Sequence, residues 1–152
     1  MNILAIDPGQ GGGLAYRLNE EVHSKAMPST SGDILQVLIT FKALSNGKPV
    51  CYLEDCVKYA GNNQSGSSMV VYGRNYGFLE GALMALGIKL YLVRPQEWQK
   101  ELKLGTRGKL TKTEWKNKKK SLAQRLYPTE AITDKTGDAL LILEYAAKKG
   151  ET

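Results

Sequence analysis

Residues 2–7 constrain this chain more than any other stretch: the apolar run Ile3-Leu4-Ala5-Ile6 ends on the carboxylate of Asp7 and is stopped at once by Pro8-Gly9. Such a run reads as a short strand closed by a turn. Side chains alternate along a strand, so Ile3, Ala5 and Asp7 share one face while Leu4 and Ile6 share the other. Gly11, Gly12 and Gly13 permit a tight reversal into residues 14–17, and residues 22–27 supply a third strand. The chain therefore starts as a three-stranded antiparallel unit with an acid at the rim of its core.

The remainder alternates between the two periodicities. Ser29-Thr30-Ser31 precedes Ile34, Leu35, Leu38, Ile39 and Phe41, a helical spacing capped by a hydroxyl and ended near Asn46-Gly47. Residues 50–53 are β-prone and run into Glu54-Asp55, followed by a polar, glycine-bearing loop over 60–68. Val71, Asn75, Leu79, Ala82 and Leu86 recur at helical spacing up to Gly87, and residues 88–93 read as a buried strand ended by Pro95. Gly73, Gly77 and Gly81 each weaken that helix by about 1 kcal/mol relative to alanine, which points to close packing against the sheet or a second subunit. Past Pro95 come a helical segment carrying Trp98 and Leu102, a basic link over 104–111, a helix over 113–127, and a last helix starting near 133–137. With no internal repeat or long linker, residues 1–152 read as one small mixed-sheet α/β domain with helices on its faces.

A carboxylate at the end of a buried strand is costly unless its charge is compensated. Asp7 and Glu54 both hold that position, and the helix between their strands permits the strands to be parallel neighbours, which would bring the two carboxylates to one end of the sheet. Alternation groups Glu54 with Val50 and Tyr52, and Asp55 with Cys51 and Leu53, so only one of the two acids faces the site. Asp138 opens an apolar helix, where the dipole favours an anion, and Asp134 falls on the same face if that helix extends so far. Taken singly, Asp7 also suits an ordinary turn and Asp138 an ordinary first-turn acid. Together these carboxylates call for a divalent cation; Mg2+, a hard ion satisfied by a few carboxylates and phosphate oxygens, fits, with one or two ions per subunit and Mn2+ able to substitute.

Charge is unevenly spread. Between residues 89 and 128 stand twelve Lys and Arg against three Glu, a balance of +9, whereas the whole chain carries +6, so everything else sums to −3. A basic side of this kind suits a polyanionic partner. Lys116, Lys119 and Lys120 share a helical face, with Lys118 pointing aside; Lys109, Lys112, Lys116, Lys119 and Lys120 are the candidate phosphate contacts, and Tyr59 in the polar loop is a candidate for stacking on bases. Half of such a lysine run serves equally well as a solvated helix face. The single histidine, His23, lies among Glu20 and Glu21 and reads as a surface residue. Cys51 and Cys56 match no metal knuckle and read as a reduced pair, while Trp98 and Trp115 read as core. No basic leader or ~20-residue apolar span appears, which gives the expectation of a soluble cytoplasmic protein.

Ile3-Leu4-Ala5-Ile6-Asp7-Pro8-Gly9 with Gly12-Gly13, the strand-end Leu53-Glu54, and Asp134-Lys135-Thr136-Gly137-Asp138-Ala139-Leu140-Leu141-Ile142 resemble, in order, the three acidic motifs of RuvC-type Holliday-junction resolvases, especially their compact phage and bacterial members. The resemblance covers nearly the whole chain. It implies a ribonuclease H-like fold built on a mixed five-stranded sheet, its first three strands antiparallel, flanked by helices. It also implies Asp7, Glu54, Asp134 and Asp138 as metal-binding, catalytic carboxylates and a lysine near the scissile phosphate, a role for which Lys119 and Lys120 are both candidates. The implied activity is that of a homodimer making paired, metal-dependent nicks in four-way DNA junctions. The late acids are four apart here rather than three, and Val57 stands where relatives often carry an aromatic wedge. A broader nuclease for flaps, forks and replication intermediates, a catalytically silent junction binder and a ribonuclease H on RNA–DNA hybrids are the competing readings.

Overall fold

The glycine-rich opening folds as an antiparallel pair: β1 (Ile3–Asp7) runs back along β2 (Gly13–Leu18), which pairs in turn with β3 (Glu21–Ala26). The computed structural model describes residues 1–55 and 65–150. Next come α1 (Ser31–Leu44), β4 (Val50–Glu54), α2 (Gly66–Ala85), β5 (Lys89–Val93), α3 (Pro95–Glu101), α4 (Lys112–Leu126) and α5 (Gly137–Gly150). The five strands lie in the order β3-β2-β1-β4-β5, with β1–β4 and β4–β5 parallel. This is the mixed sheet of the ribonuclease H-like fold, antiparallel in its first three strands and flanked by helices.

Strand parity divides the interior into two layers. Leu4, Ile6, Cys51 and Leu53 face α1 and α2, where they meet Ile34, Leu38, Phe41, Leu79 and Leu83. Ile3, Ala5, Val50 and Tyr52 face the other way, onto Ala139, Leu140 and Leu143 of α5. α5 crosses β1 and β2, and α3 and α4 pack around it. Because Asp7 continues the Ile3–Ala5 face and Glu54 the Val50–Tyr52 face, both acids end up on the α5 side of the sheet.

Several elements differ from expectation. The α2 helix starts earlier, at Gly66, because Ser65 caps it by accepting from the Ser68 N–H, so the polar loop is shorter than its composition suggests. β5 is the edge strand rather than a buried one, with Tyr91 and Leu92 exposed, since no strand among the described residues pairs with its outer side. Gly73, Gly77 and Gly81 do not pack on the sheet: a side chain at any of them would meet open space. α5 begins only at Gly137, which leaves Asp134 in the turn before it. Tyr59, together with Cys56, Val57 and most of the polar loop, lies outside the described residues. Among the described residues no helix is long and apolar enough to cross a membrane.

Candidate functional site

Asp7 and Glu54 end neighbouring parallel strands, in a register that pairs Ile6 with Leu53 and so brings the two carboxylates level. Asp138 reaches the same place from the first turn of α5. What lets α5 come so close is the absence of a side chain at Gly13: a Cβ there would run into the Lys135 carbonyl, just as one at Gly12 would run into the Asp7 carbonyl. The turn ahead of α5 is tied by Thr133 and Thr136; the Thr136 hydroxyl donates to the Ala131 carbonyl and accepts from the Thr133 N–H. On the opposite side Asn75 of α2 accepts from the Gly9 N–H at 2.7 Å, pinning the turn that follows Asp7. Gly9 has φ near +95°, a conformation that favours glycine.

The electrostatics of these acids reflect their crowding. Burial, followed by the charges of Glu54 and Asp138, raises the Asp7 carboxyl well above its ordinary value, against the opposing pull of Lys119. Glu54 is 7% exposed, and burial together with Asp138 pushes it up to about 7, opposed by a hydrogen bond from Trp98 and by Lys119. Each acid is thus held where its charge is disfavoured, a state that a nearby cation relieves. Lys119 supplies one: its largely buried ammonium lies 2.8 Å from Asp138 Oδ2 and about 6.0 Å from the ring centres of both Trp98 and Trp115.

Asp134 has a different environment. It is exposed, bonds Lys120 at 2.9 Å, and is lowered in pKa by that hydrogen bond and by the charges of Lys120 and Lys116. Two lysine–aspartate pairs, Lys119–Asp138 and Lys120–Asp134, therefore run side by side between α4 and the start of α5, and Lys116 lines the same small recess. Lys109, Lys112 and Lys116 are exposed. Lys118 turns away, as its helical position predicts, and donates to the Leu104 carbonyl at 2.8 Å, fastening the link between α3 and α4. His23 sits on exposed β3 beside Glu21.

Among the described residues no group of three or more His, Cys, Asp or Glu side chains is gathered closely enough to hold a metal ion. The donor set is nonetheless all oxygen, and Mg2+ is commonly held by one or two carboxylates with water and substrate phosphates rather than by a complete protein cage. Residues of these types fit such an ion. Beside Asp7 opens a cleft of about 700 Å3, bordered by Gly9, Gly12, Ser65, Ser68, Tyr72 and Asn75. Neither Asn75 nor Trp98 stands out in the sequence as a site residue. Asn75 carried only a helical periodicity, and an indole that is the single apolar side chain of a short polar helix gives no sign of what its N–H meets.

The sequence matches no protein-family model and no curated protein. Solved structures do resemble it. One, described as Thermus thermophilus RuvC in complex with a Holliday junction substrate, superposes with a TM-score of 0.66 at 15% identity over 99% of this chain and 97% of that one. A second structure of Thermus thermophilus RuvC gives a TM-score of 0.66 at 18% identity over the same shares. The likeness extends end to end and concerns the fold.

Proposed function

We propose that the chain is a metal-dependent endonuclease that resolves four-way DNA junctions, its residues 1–152 forming one nuclease domain that works as a homodimer. The observation that carries the reading is that Asp7 and Glu54, at neighbouring strand ends, lie near enough to Asp138, at a helix start, for its charge to act on both, with Lys119 paired to Asp138. The RuvC-like fold and the basic side formed by α4 and the link before it add support.

In this reading Asp7, Glu54 and Asp138 hold one or two Mg2+ ions, or Mn2+ in their place, and Asp134 serves as an outer carboxylate. Bound there, such an ion would supply the positive charge needed to activate water and to stabilise the leaving 3′ oxygen of the phosphodiester. Lys119, already directed at Asp138, lies where a scissile phosphate would need a cation, and Lys120 flanks it. Lys109, Lys112 and Lys116 neutralise phosphates farther along the DNA and fix its register without reading bases. Tyr59 is assigned to stacking on junction bases. Two strands must be cut in concert, so two copies are required. The exposed face of α2, where Gly73 and Gly77 lie with Val70 and Met84, is the surface on which a second copy can approach closely.

The test is cleavage of a labelled four-way junction mapped to the nucleotide, comparing wild type with Asp7→Asn in Mg2+, alongside flap, fork, linear duplex and RNA–DNA hybrid substrates. Paired, symmetrical nicks that vanish in the variant are expected. Intact junctions with the wild type, or products unchanged in Asp7→Asn, would refute the reading.

A further inference from the structure

Trp98 takes no part in the chemistry proposed above, yet its surroundings are unusual for a core tryptophan. The indole is fully buried, and its Nε1–H donates to Glu54 Oε2 at 2.6 Å. Most buried indoles satisfy this donor on a backbone carbonyl or a neutral side chain. Here the acceptor is a buried carboxylate at the end of β4. An indole nitrogen only donates, so Trp98 can orient the carboxylate but cannot replace it as a ligand.

The two ends of this bond are fixed independently. Past Glu54 the pairing of β4 with β5 continues through the Asp55 N–H to the Val93 carbonyl at 2.8 Å, which ties the Glu54 backbone to the strand leading into α3. α3 then begins at once, with Pro95 in its first turn and a reciprocal pair of bonds between Arg94 and Glu97 setting its direction. Trp98 falls one turn later, beneath Glu54. Lys119 stands about 6.0 Å from the indole centre on the way to Asp138, so the ring also forms part of the floor on which that ammonium rests.

We infer that Trp98 is a positioning residue: its indole N–H holds Oε2 of Glu54 and so presents the remaining oxygen, Oε1, to a divalent cation shared with Asp7 and Asp138. The inference rests on the metal reading of Glu54 given under the proposed function. Partners of this kind, one bond behind a metal ligand, typically govern metal affinity by 10–100-fold.

The experiment measures Mn2+ binding by calorimetry on the full chain in a Trp115→Phe background, where Trp98 is the one remaining indole. Trp98→Phe is compared with a chain carrying β-(3-benzothienyl)alanine at position 98, which keeps the ring's shape but replaces N–H by sulfur. Both are expected to bind Mn2+ roughly 10–100-fold more weakly, while the benzothienyl chain melts close to the parent. In addition, the indole proton resonance of Trp98 is expected to move in Glu54→Gln, where a neutral amide replaces the charged acceptor. A folded benzothienyl chain with the parent's Mn2+ affinity overturns the inference and leaves the metal reading standing, and so does an indole resonance unmoved by Glu54→Gln. A parent that binds no Mn2+ at all overturns the metal reading, and the inference falls with it.

Discussion

Glu54 illustrates the cost of burying a carboxylate beside other acids. Burial and Asp138 raise its folded pKa from an ordinary 4.5 to about 7, so the folded state binds its proton more tightly than the unfolded chain does. The stability gained from that proton is complete below about pH 4.5 and is lost as pH climbs through about 7. Asp7 is raised for the same reasons and acts in the same direction. Metal-free protein should therefore melt at a lower temperature at pH 8 than at pH 5.5, and the rise in Tm caused by 10 mM Mg2+ (about 10 mM being a saturating excess for ordinary sites) should be larger at pH 8. Glu54→Gln should flatten the metal-free pH slope and raise Tm at pH 8, because an amide replaces a charge that burial disfavours; equal Mg2+ effects at the two pH values in scanning calorimetry would contradict this account. Much at this scale was legible beforehand. Strand alternation alone puts Asp7 with Ile3 and Ala5, and Glu54 with Val50 and Tyr52, and both faces turn out to be the one that α5 covers. Trp98 was not legible, because its partner lies 44 residues away and only the fold brings the two together.

At the scale of elements, two kinds of glycine with opposite roles sit in the same chain. Gly13 is required by a close approach: the turn holding Lys135 presses on β2, and through that contact α5 delivers Asp138 to the sheet. Gly13→Ala should cost about 2 kcal/mol or more, since the atoms it meets are backbone and cannot swing aside. It should also lower junction cleavage more than the lost stability explains, because Asp138 is displaced. Gly77 faces open space in the middle of α2, and Gly77→Ala should raise monomer stability by up to about 1 kcal/mol through helix propensity. Urea unfolding of the two variants checks both signs. The sequence shows that each glycine is there but not which reason applies, since a helix interior and a strand start look equally improbable places for it. Element order was readable because the period of apolar residues changes cleanly from strand to helix. The edge position of β5 was not: its Leu90-Tyr91-Leu92-Val93 run has the composition of a buried strand, and only the sheet order exposes its outer side. The start of α5 was similarly blurred, because Asp134 and Asp138 are spaced as helical neighbours while the Thr133–Thr136 turn keeps Asp134 outside the helix.

For the molecule as a whole, the two surfaces set apart by charge and by shape make separable predictions. The first concerns assembly: if the glycine face of α2 seats a second copy, Gly77→Arg should give a monomer by sedimentation that still binds Mn2+ but no longer makes paired nicks, and a variant that remains dimeric would exclude that face. The second concerns DNA. Lys109, Lys112, Lys116 and Lys118 are all exposed, but Lys118 has its ammonium bound to the Leu104 carbonyl. Each lysine that neutralises a phosphate releases counterion, so its removal should reduce the slope of log K against log salt by about 0.9. Measured on a four-way junction in the Asp7→Asn background, which leaves the DNA intact, Lys112→Gln and Lys116→Gln should each flatten the slope by about that amount. Lys118→Gln should leave it unchanged while costing about 1 kcal/mol of stability through the lost bond to the link. Net charge is identical in all these variants, so a general electrostatic attraction would lower the slope equally in each. Only a partner held against one defined side of α4 separates Lys118 from its neighbours, and equal slopes would remove the assignment of that side to DNA.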